Sequence, residues 1–384
     1  MTAPAQPVVP GPKFSPALRS RSVPARRLGS SLALLGCCAL GACWTIGSVW
    51  ASPREHLKKP ANWFATAEAK QVAANVLSYQ SALGGWPKNE DTTARPYQGD
   101  RQKLKPTYDN GATTDELRFL AKMENATHDG AYRTAFERGL DYVLDGQYSH
   151  GGWPQFHPPG NGYHRRITFN DNAMVRLMEF VREVATSADY EFVDEARRRA
   201  AGAAFNRGVA CILKCQIPVD GRLTGWCAQH DELDFRPQPA RTFEPASLSG
   251  AESVGVVRLL MSLDDPSPEV VNAVEGAVAW LERAKLSGVR VVEVKDPQAP
   301  QGVNKVVESD PRAAPLWARF YEIGANRPLF VDRDGVPKAT LAEIGYERRN
   351  GYAWYGTWPQ RLLEVEHPKW KERIAKRAKG RENQ

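Results

Sequence analysis

The sequence predicts a mostly α-helical protein, an α/α toroid of repeated helical hairpins with long irregular loops and little β-structure. Three observations predict it. First, Gln80-Ser-Ala-Leu-Gly-Gly-Trp86-Pro returns 67 residues later as Gln147-Tyr-Ser-His-Gly-Gly-Trp153-Pro, more loosely as Gln216 to Trp226, and faintly as Gly356-Thr-Trp-Pro359. Second, Thr-aromatic turns at Thr107, Thr168 and Thr242 interleave with these copies, and each leads into an amphipathic segment. Third, strand signals are few. Two helices in roughly 65–75 residues is the signature of a helical hairpin array. An open solenoid also fits, but three or four units are few for one and no polar capping repeat is evident, so closure is favoured.

The first 51 of the 384 residues read as a leader rather than fold. Lys13, Arg19, Arg21, Arg26 and Arg27 precede an apolar run from Leu28, and Val49-Trp-Ala51 is a small-x-small cleavage site. The expectation is a signal peptide over 1–51 and a secreted or periplasmic protein. An uncleaved anchor over Leu28 to Ala51 and lipoprotein processing at Leu40-Gly-Ala-Cys43 are the alternatives. The formal charge of +7 is mostly peripheral. The leader's five cations leave +2, and the tail over 367–384 contributes +5, so residues 52–366 sit near −3. The high pI therefore argues for no nucleic-acid partner, and any anion site must be a local cluster.

Helical periodicity begins at Trp63 and runs to Ser81, with Phe64, Ala67, Val72, Ala73, Val76 and Leu77 mostly on one stripe. Gly-Gly and Trp-Pro cannot continue that helix and end it. A polar turn, Thr107-Tyr-Asp-Asn-Gly, then opens a second helix, where Thr113 and Glu116 have capping-box spacing. Further helices are predicted over 131–145, 171–187, 191–214, 247–263 and 267–285, the 247–263 start again with capping-box spacing between Ser249 and Glu252. Val289 to Lys295 and Lys305 to Glu308 read as a hairpin. Residues 52–366 thus read as one folded domain, followed by a basic tail over 367–384. Cys211, Cys215 and Cys227 are the cysteines beyond the leader, either one disulfide plus a thiol or three buried thiols.

The helix mouths carry the chemistry-bearing residues. Asp109, Asn110, Asn170, Asp171 and Asn172 are oxygen ligands from separate loops, without Cys or clustered His, and suit a hard cation, most simply Ca²⁺. For Asp171 the competing reading is an N-cap; for Asp109 it is weaker, since Thr113 can fill that role. Arg241 reads equally as a surface charge or a partner of Glu244, and Arg333 as a partner of its neighbouring carboxylates. Nucleotide, Gly-x-Ser-x-Gly and His-Glu-x-x-His motifs are absent from the sequence.

The motifs Gly84-Gly-Trp-Pro-Lys-Asn89, Thr107-Tyr-Asp-Asn-Gly-Ala-Thr-Thr114, Ile167-Thr-Phe-Asn-Asp-Asn-Ala-Met174, Ala240-Arg-Thr-Phe-Glu-Pro245, Pro315-Leu-Trp-Ala-Arg-Phe-Tyr-Glu-Ile323 and Arg349-Asn-Gly-Tyr-Ala-Trp-Tyr-Gly-Thr-Trp358 resemble the pectate lyases of polysaccharide lyase family 10. The resemblance runs from about residue 62 to 364. It implies an α/α toroid and Ca²⁺-assisted β-elimination on polygalacturonate. It also implies that Arg241 is the base, that Asp109 and Asp171 lie near Ca²⁺ and substrate, and that Arg333 binds substrate. Asn110 joins the metal candidates by adjacency. Lys88, Asn89, His150 and Tyr355 join the substrate-binding candidates, and Trp86 and Trp153 either stack on sugars or pack in the core. The loop Pro158-Pro-Gly-Asn-Gly162 departs from the family pattern. A monomer with no stable membrane partner beyond the leader is expected. The rival readings are a glycoside hydrolase on the same fold, or a non-catalytic carbohydrate-binding protein.

Overall fold

A computed structural model describes residues 53–382, so the signal peptide, anchor and lipoprotein readings at 1–51 lie outside the described residues. The helices are α1 (Ala67–Ser78), α2 (Thr114–Thr127), α3 (Gly130–Asp145), α4 (Ala173–Thr186), α5 (Glu195–Cys215), α6 (Glu252–Met261), α7 (Pro268–Arg283), a short α8 (Tyr346–Gly351) and α9 (His367–Glu382). Three antiparallel hairpins, α2–α3, α4–α5 and α6–α7, stand side by side. Their first members α2, α4 and α6 neighbour one another, and so do α3, α5 and α7. This is the layered arrangement of an α/α toroid, with α2, α4 and α6 on the inside. A cavity of about 400 Å³ lies among those inner helices, lined by Asp115, Asn172, Arg176 and Gly255, with Arg54 and Leu57 of the N-terminal turn on its rim.

The repeated Gln and Trp residues hold the hairpins together. Trp86, Trp153 and Trp226 are fully buried. Each indole donates to a carbonyl of the preceding outer-layer helix: Val76 at 2.7 Å, Val143 at 2.8 Å and Ile212 at 2.8 Å. These Trp residues therefore pack in the core and do not face a ligand. The Gln amides bridge successive repeats. Gln80 donates to Ala135 O, Gln147 to Ala204 O and Gln216 to Ala273 O, each at 2.8 Å, and each also donates into its own turn. Gly84 and Gly151 have φ of 104° and 99°, and a Cβ there would fall 2.4 Å from Arg138 O and 2.0 Å from Arg207 O. The Gly-Gly pair thus admits both the left-handed turn and the close passage of the next helix.

Strands are mostly two-residue pairs that pin loops, among them Leu248–Ser249 with Phe320–Tyr321 and Trp317–Ala318 with Tyr355–Gly356. The exception is the expected hairpin, observed as Val289–Lys295 against Val303–Ser309. Cys211, Cys215 and Cys227 are free and buried, which decides between the two cysteine readings. The stretch read as a basic tail is helix α9, and its Trp370 is buried in the main core.

Candidate functional site

The helix starts differ by layer. In the outer layer every start is capped by its own side chain. Thr66 accepts from Ala69 N, Asp129 from Ala131 N, Asp194 from Arg197 N and Ser267 from Val270 N. The residues preceding α2 and α4 supply no such cap, whereas at α6 Ser249 Oγ accepts from Glu252 N at 3.1 Å, as the Ser249–Glu252 spacing predicts. The capping box read at Thr113 is therefore corrected: Thr113 has φ 72° and its hydroxyl serves Thr107 O and Trp86 N, at 2.9 and 3.0 Å. Asp171, the other capping candidate, is also not a cap, with φ 50°. Asn110 and Asn172 share the left-handed conformation, at 55° and 59°. A β-branched residue at positive φ costs on the order of 1 kcal/mol or more and persists only where its surroundings over-determine it. The strain falls on the two turns that hold the chemistry-bearing residues.

The first turn centres on Asp109, which is buried. Its Oδ2 accepts from Lys88 Nζ in an ion pair and from Gln155 Nε2 at 2.8 Å. Its Oδ1 is buried without a hydrogen-bond partner. The turns at Asp109–Gly111 and Asn170–Asn172 approach within 8 Å between Cα atoms. At the second turn Asp171 is 41% exposed and accepts from Asn170 Nδ2 at 2.7 Å and Arg319 Nη2 at 3.3 Å. The same Nη2 donates to Glu252 Oε1 at 2.5 Å, and Ser249 Oγ donates to Glu252 Oε2. Burial alone would lower the Arg319 pKa. Glu252, Tyr352 and Asp171 outweigh it and hold the guanidinium above its ordinary value.

Arg319 also joins the third mouth. Its guanidinium lies 5.2 Å from the Tyr352 ring, and Tyr352 donates to Glu244 Oε1 at 2.9 Å. Glu244 in turn accepts two bonds from Arg241, Nε at 2.8 Å and Nη2. That pairing raises the Arg241 pKa against the effect of burial. Burial pushes the Glu244 carboxyl up, but hydrogen bonds and charge from Arg241 and Tyr352 bring it below the usual range. Arg241 is about half exposed, so its other face is open to a ligand. Arg241, Arg333 and Arg348 surround the Phe243 ring at 4.7, 5.7 and 4.5 Å. Glu347 bridges Arg333 and Arg348, which draw its pKa down to about 2.

The structure thus links Asp171, Arg319, Tyr352, Glu244 and Arg241 in one continuous set of contacts, with the Asp109 turn packed beside it. Lys88 belongs to this site through Asp109. Arg333 belongs to it through Phe243. Tyr355 is half-buried, pairs its backbone with Ala318 and packs on Phe330 at 5.2 Å; burial pushes its phenol up to about 12. Asn89 and Asn110 are exposed turn residues. His150 is exposed with its ring edge-on to Phe235 at 5.8 Å, and among the described residues no hydrogen bond ties it to this set. Arg319, Glu252, Gln155 and Tyr352 are residues that sequence reasoning missed. Arg319 and Tyr352 lie inside the matched motifs, and Glu252 was visible but read as a cap.

Among the described residues no three His, Cys, Asp or Glu are arranged to hold a metal by themselves. The donor set still fits a hard cation in part. Asp109 offers a desolvated, unpartnered oxygen and Asp171 an accessible carboxylate, so that water and a ligand carboxylate would complete the shell. Lys88 occupies the other Asp109 oxygen and would compete with a cation there.

Three comparisons bear on this geometry. The profile of the family described as pectic acid lyase matches residues 80–363. A family 10 polysaccharide lyase from Cellvibrio cellulosa is similar in structure, with 35% sequence identity and a TM-score of 0.70, covering 80% of this chain and 96% of that one. A single-residue variant of a family 10 polysaccharide lyase from the same organism, solved in complex with trigalacturonic acid, matches at 34% identity and the same TM-score, covering 83% and 98%. A search of curated proteins found no match.

Proposed function

The chain belongs to the pectic acid lyases of polysaccharide lyase family 10 and is a polysaccharide lyase; from that premise we propose that it cleaves α-1,4-linked polygalacturonate by Ca²⁺-dependent β-elimination, releasing 4,5-unsaturated oligogalacturonates. The observation that carries the reading is the meeting of three helix mouths. Asp171 and the half-exposed Arg241 belong to one connected set of contacts through Arg319, Tyr352 and Glu244, and the turn that carries Asp109 packs beside it. The trigalacturonic acid in the related structure supports an acidic galacturonate substrate.

In this proposal the carboxylate of the sugar at the cleavage site faces the Asp109–Asp171 mouth. Asp109 and Asp171, with Asn110 beside them, would hold Ca²⁺, which would supply neutralisation of that carboxylate and so make the adjacent C5 proton more acidic. Arg241 removes the C5 proton. The C–H electron pair becomes the C4=C5 double bond, the C4–O bond breaks, and the glycosidic oxygen takes a proton from water. Arg319 fixes Asp171 and Glu252, and Arg333 neutralises a neighbouring sugar carboxylate. Lys88, which pairs with Asp109, would be available to a substrate carboxylate if a cation took its place on Asp109.

The Arg241–Glu244 pair favours a second reading of the proton transfer. Glu244 stabilises the charged guanidinium, so Arg241 acts as a base only after the substrate has separated the pair. Otherwise hydroxide is the base and charged Arg241 stabilises the developing carbanion. Arg241→Ala rescued by added amines separates the two: rescue that follows amine basicity marks a base, rescue that follows charge alone marks an electrostatic group. Either way Arg241→Ala should stop formation of the unsaturated product, read by its ultraviolet absorbance, while polygalacturonate still binds. Full alkaline turnover by that variant would end the assignment. Export directed by the 1–51 leader and action as a monomer belong to the same proposal.

A further inference from the structure

Lys88 and Gln155, which both hold Asp109 Oδ2, also line an open groove of about 780 Å³. A volume of this size suits a ligand larger than one sugar ring. Its lining includes Lys103 and Lys105, exposed lysines that form no ion pair among the described residues. Another part of the lining is aromatic. The rings of Tyr163 and His164 stack with centroids 3.9 Å apart, and Phe156 lies 5.2 Å from His164. Tyr163 also contributes, weakly, to the electrostatic environment of Arg241. Glu90 is the one carboxylate among the lining residues. Residues 52–366 carry a formal charge near −3, so three lysines on one groove are a local reversal of sign. Pro158, in the loop that departs from the family pattern, lines the groove too.

Lysine ammonium groups are compact point charges suited to carboxylates that arrive in varied orientations. Flat aromatic rings with polar tips suit the C–H face of a sugar. A ligand that presents both at intervals is a chain of acidic sugars. We propose that this groove is a distal subsite for the galacturonate chain, in which Lys103 and Lys105 pair with carboxylates of sugars beyond the cleavage site while Tyr163 and His164 carry a sugar face. It makes the rate depend on the length of the substrate chain. The proposal rests on the polygalacturonate reading above.

The test compares wild type with the Lys103→Ala/Lys105→Ala double variant on trigalacturonate and on long oligogalacturonates. Wild type should favour the longer substrates. The double variant should raise KM about 5-fold for long substrates only, the size expected of two exposed ion pairs, with kcat and KM on trigalacturonate unchanged. Added salt should shrink the wild-type preference and leave the variant indifferent. A variant that keeps the wild-type length preference, or that slows every length alike, overturns the groove. If wild type makes no unsaturated product from any length, the lyase reading has failed instead. Calorimetric binding of the same oligomers then still reads the groove: weaker binding of long chains by the double variant supports it, and equal binding overturns it.

Discussion

The outer and inner helix starts differ in what their polar side chains do. Thr66, Asp129, Asp194 and Ser267 each accept a hydrogen bond from the first turn of an outer-layer helix. At the inner starts, Asp109 and Asp171 are turned away from their helices and held by Lys88, Gln155 and Arg319 instead. Thr113, Asp171 and Asn172 take positive φ in the process. A helix end left without a cap keeps N–H groups and a positive field available to an anion. The inner mouths thus leave Asp109 and Asp171 out of capping duty, while the outer-layer side chains are spent on their own helices. A carboxylate at a helix start caps its helix in the outer layer, and in the inner layer it is left for the role the proposed function gives it.

The sharpest way to break this contrast is to truncate one carboxylate from each layer. Asp171→Ala should lower turnover about 100-fold or more, the range for loss of a group acting in the transition state, with little change in melting temperature. Asp194→Ala should do the opposite, costing about 1 kcal/mol of stability at unchanged turnover. If both variants lose only stability, the layers do not differ. Next in size is the scaffold itself. Trp153→Ala removes a fully buried indole and its bond to Val143 O, and should cost about 3–5 kcal/mol by denaturant titration. Trp226→Ala, which removes an equally buried indole and its bond to Ile212 O, is the internal control and should cost the same.

Metal dependence sharpens the contrast inside the inner layer. Chelator should abolish wild-type activity, and Asp109→Ala should raise the Ca²⁺ needed for half-maximal rate about 10-fold or more. An unchanged Ca²⁺ titration would remove Asp109 from the cation site. The smallest effect concerns Glu116 on α2, where burial pushes the carboxyl up to about 8 and the neighbouring Asp115 adds to the rise. Between about 4.5 and 8 the folded protein then holds a proton that the unfolded chain has released, so stability falls as pH rises through that window. Glu116→Gln should flatten this part of the stability profile. A profile unchanged by the substitution would show that Glu116 is ionised in the folded state.

Much of the molecule was legible in the amino-acid order because it repeats. Gln80, Gln147 and Gln216 make the same pair of bonds, and Trp86, Trp153 and Trp226 fill the same place, so one local rule recurs with one local structure. Helical periodicity and Gly-Gly stops depend on near neighbours and are read without the fold. Asp109, Asp171 and Arg241 were marked by their place at the three mouths and by resemblance. The capping box at Thr113 was misread because spacing reports which groups are near in sequence, and not which partner arrives from elsewhere. Glu252 donates its backbone N–H to Ser249 Oγ as its spacing predicts, and its carboxylate also receives Arg319, 67 residues away. Gln155 reaches Asp109 from 46 residues away and Tyr352 reaches Glu244 from 108. By itself, then, the sequence determined the helices, their stops, the repeat and the candidate carboxylates, all through interactions a few residues long. Only the tertiary structure decided which carboxylates are caps and which are free for chemistry, because that choice is made by cations and hydroxyls that closure of the ring brings from distant loops.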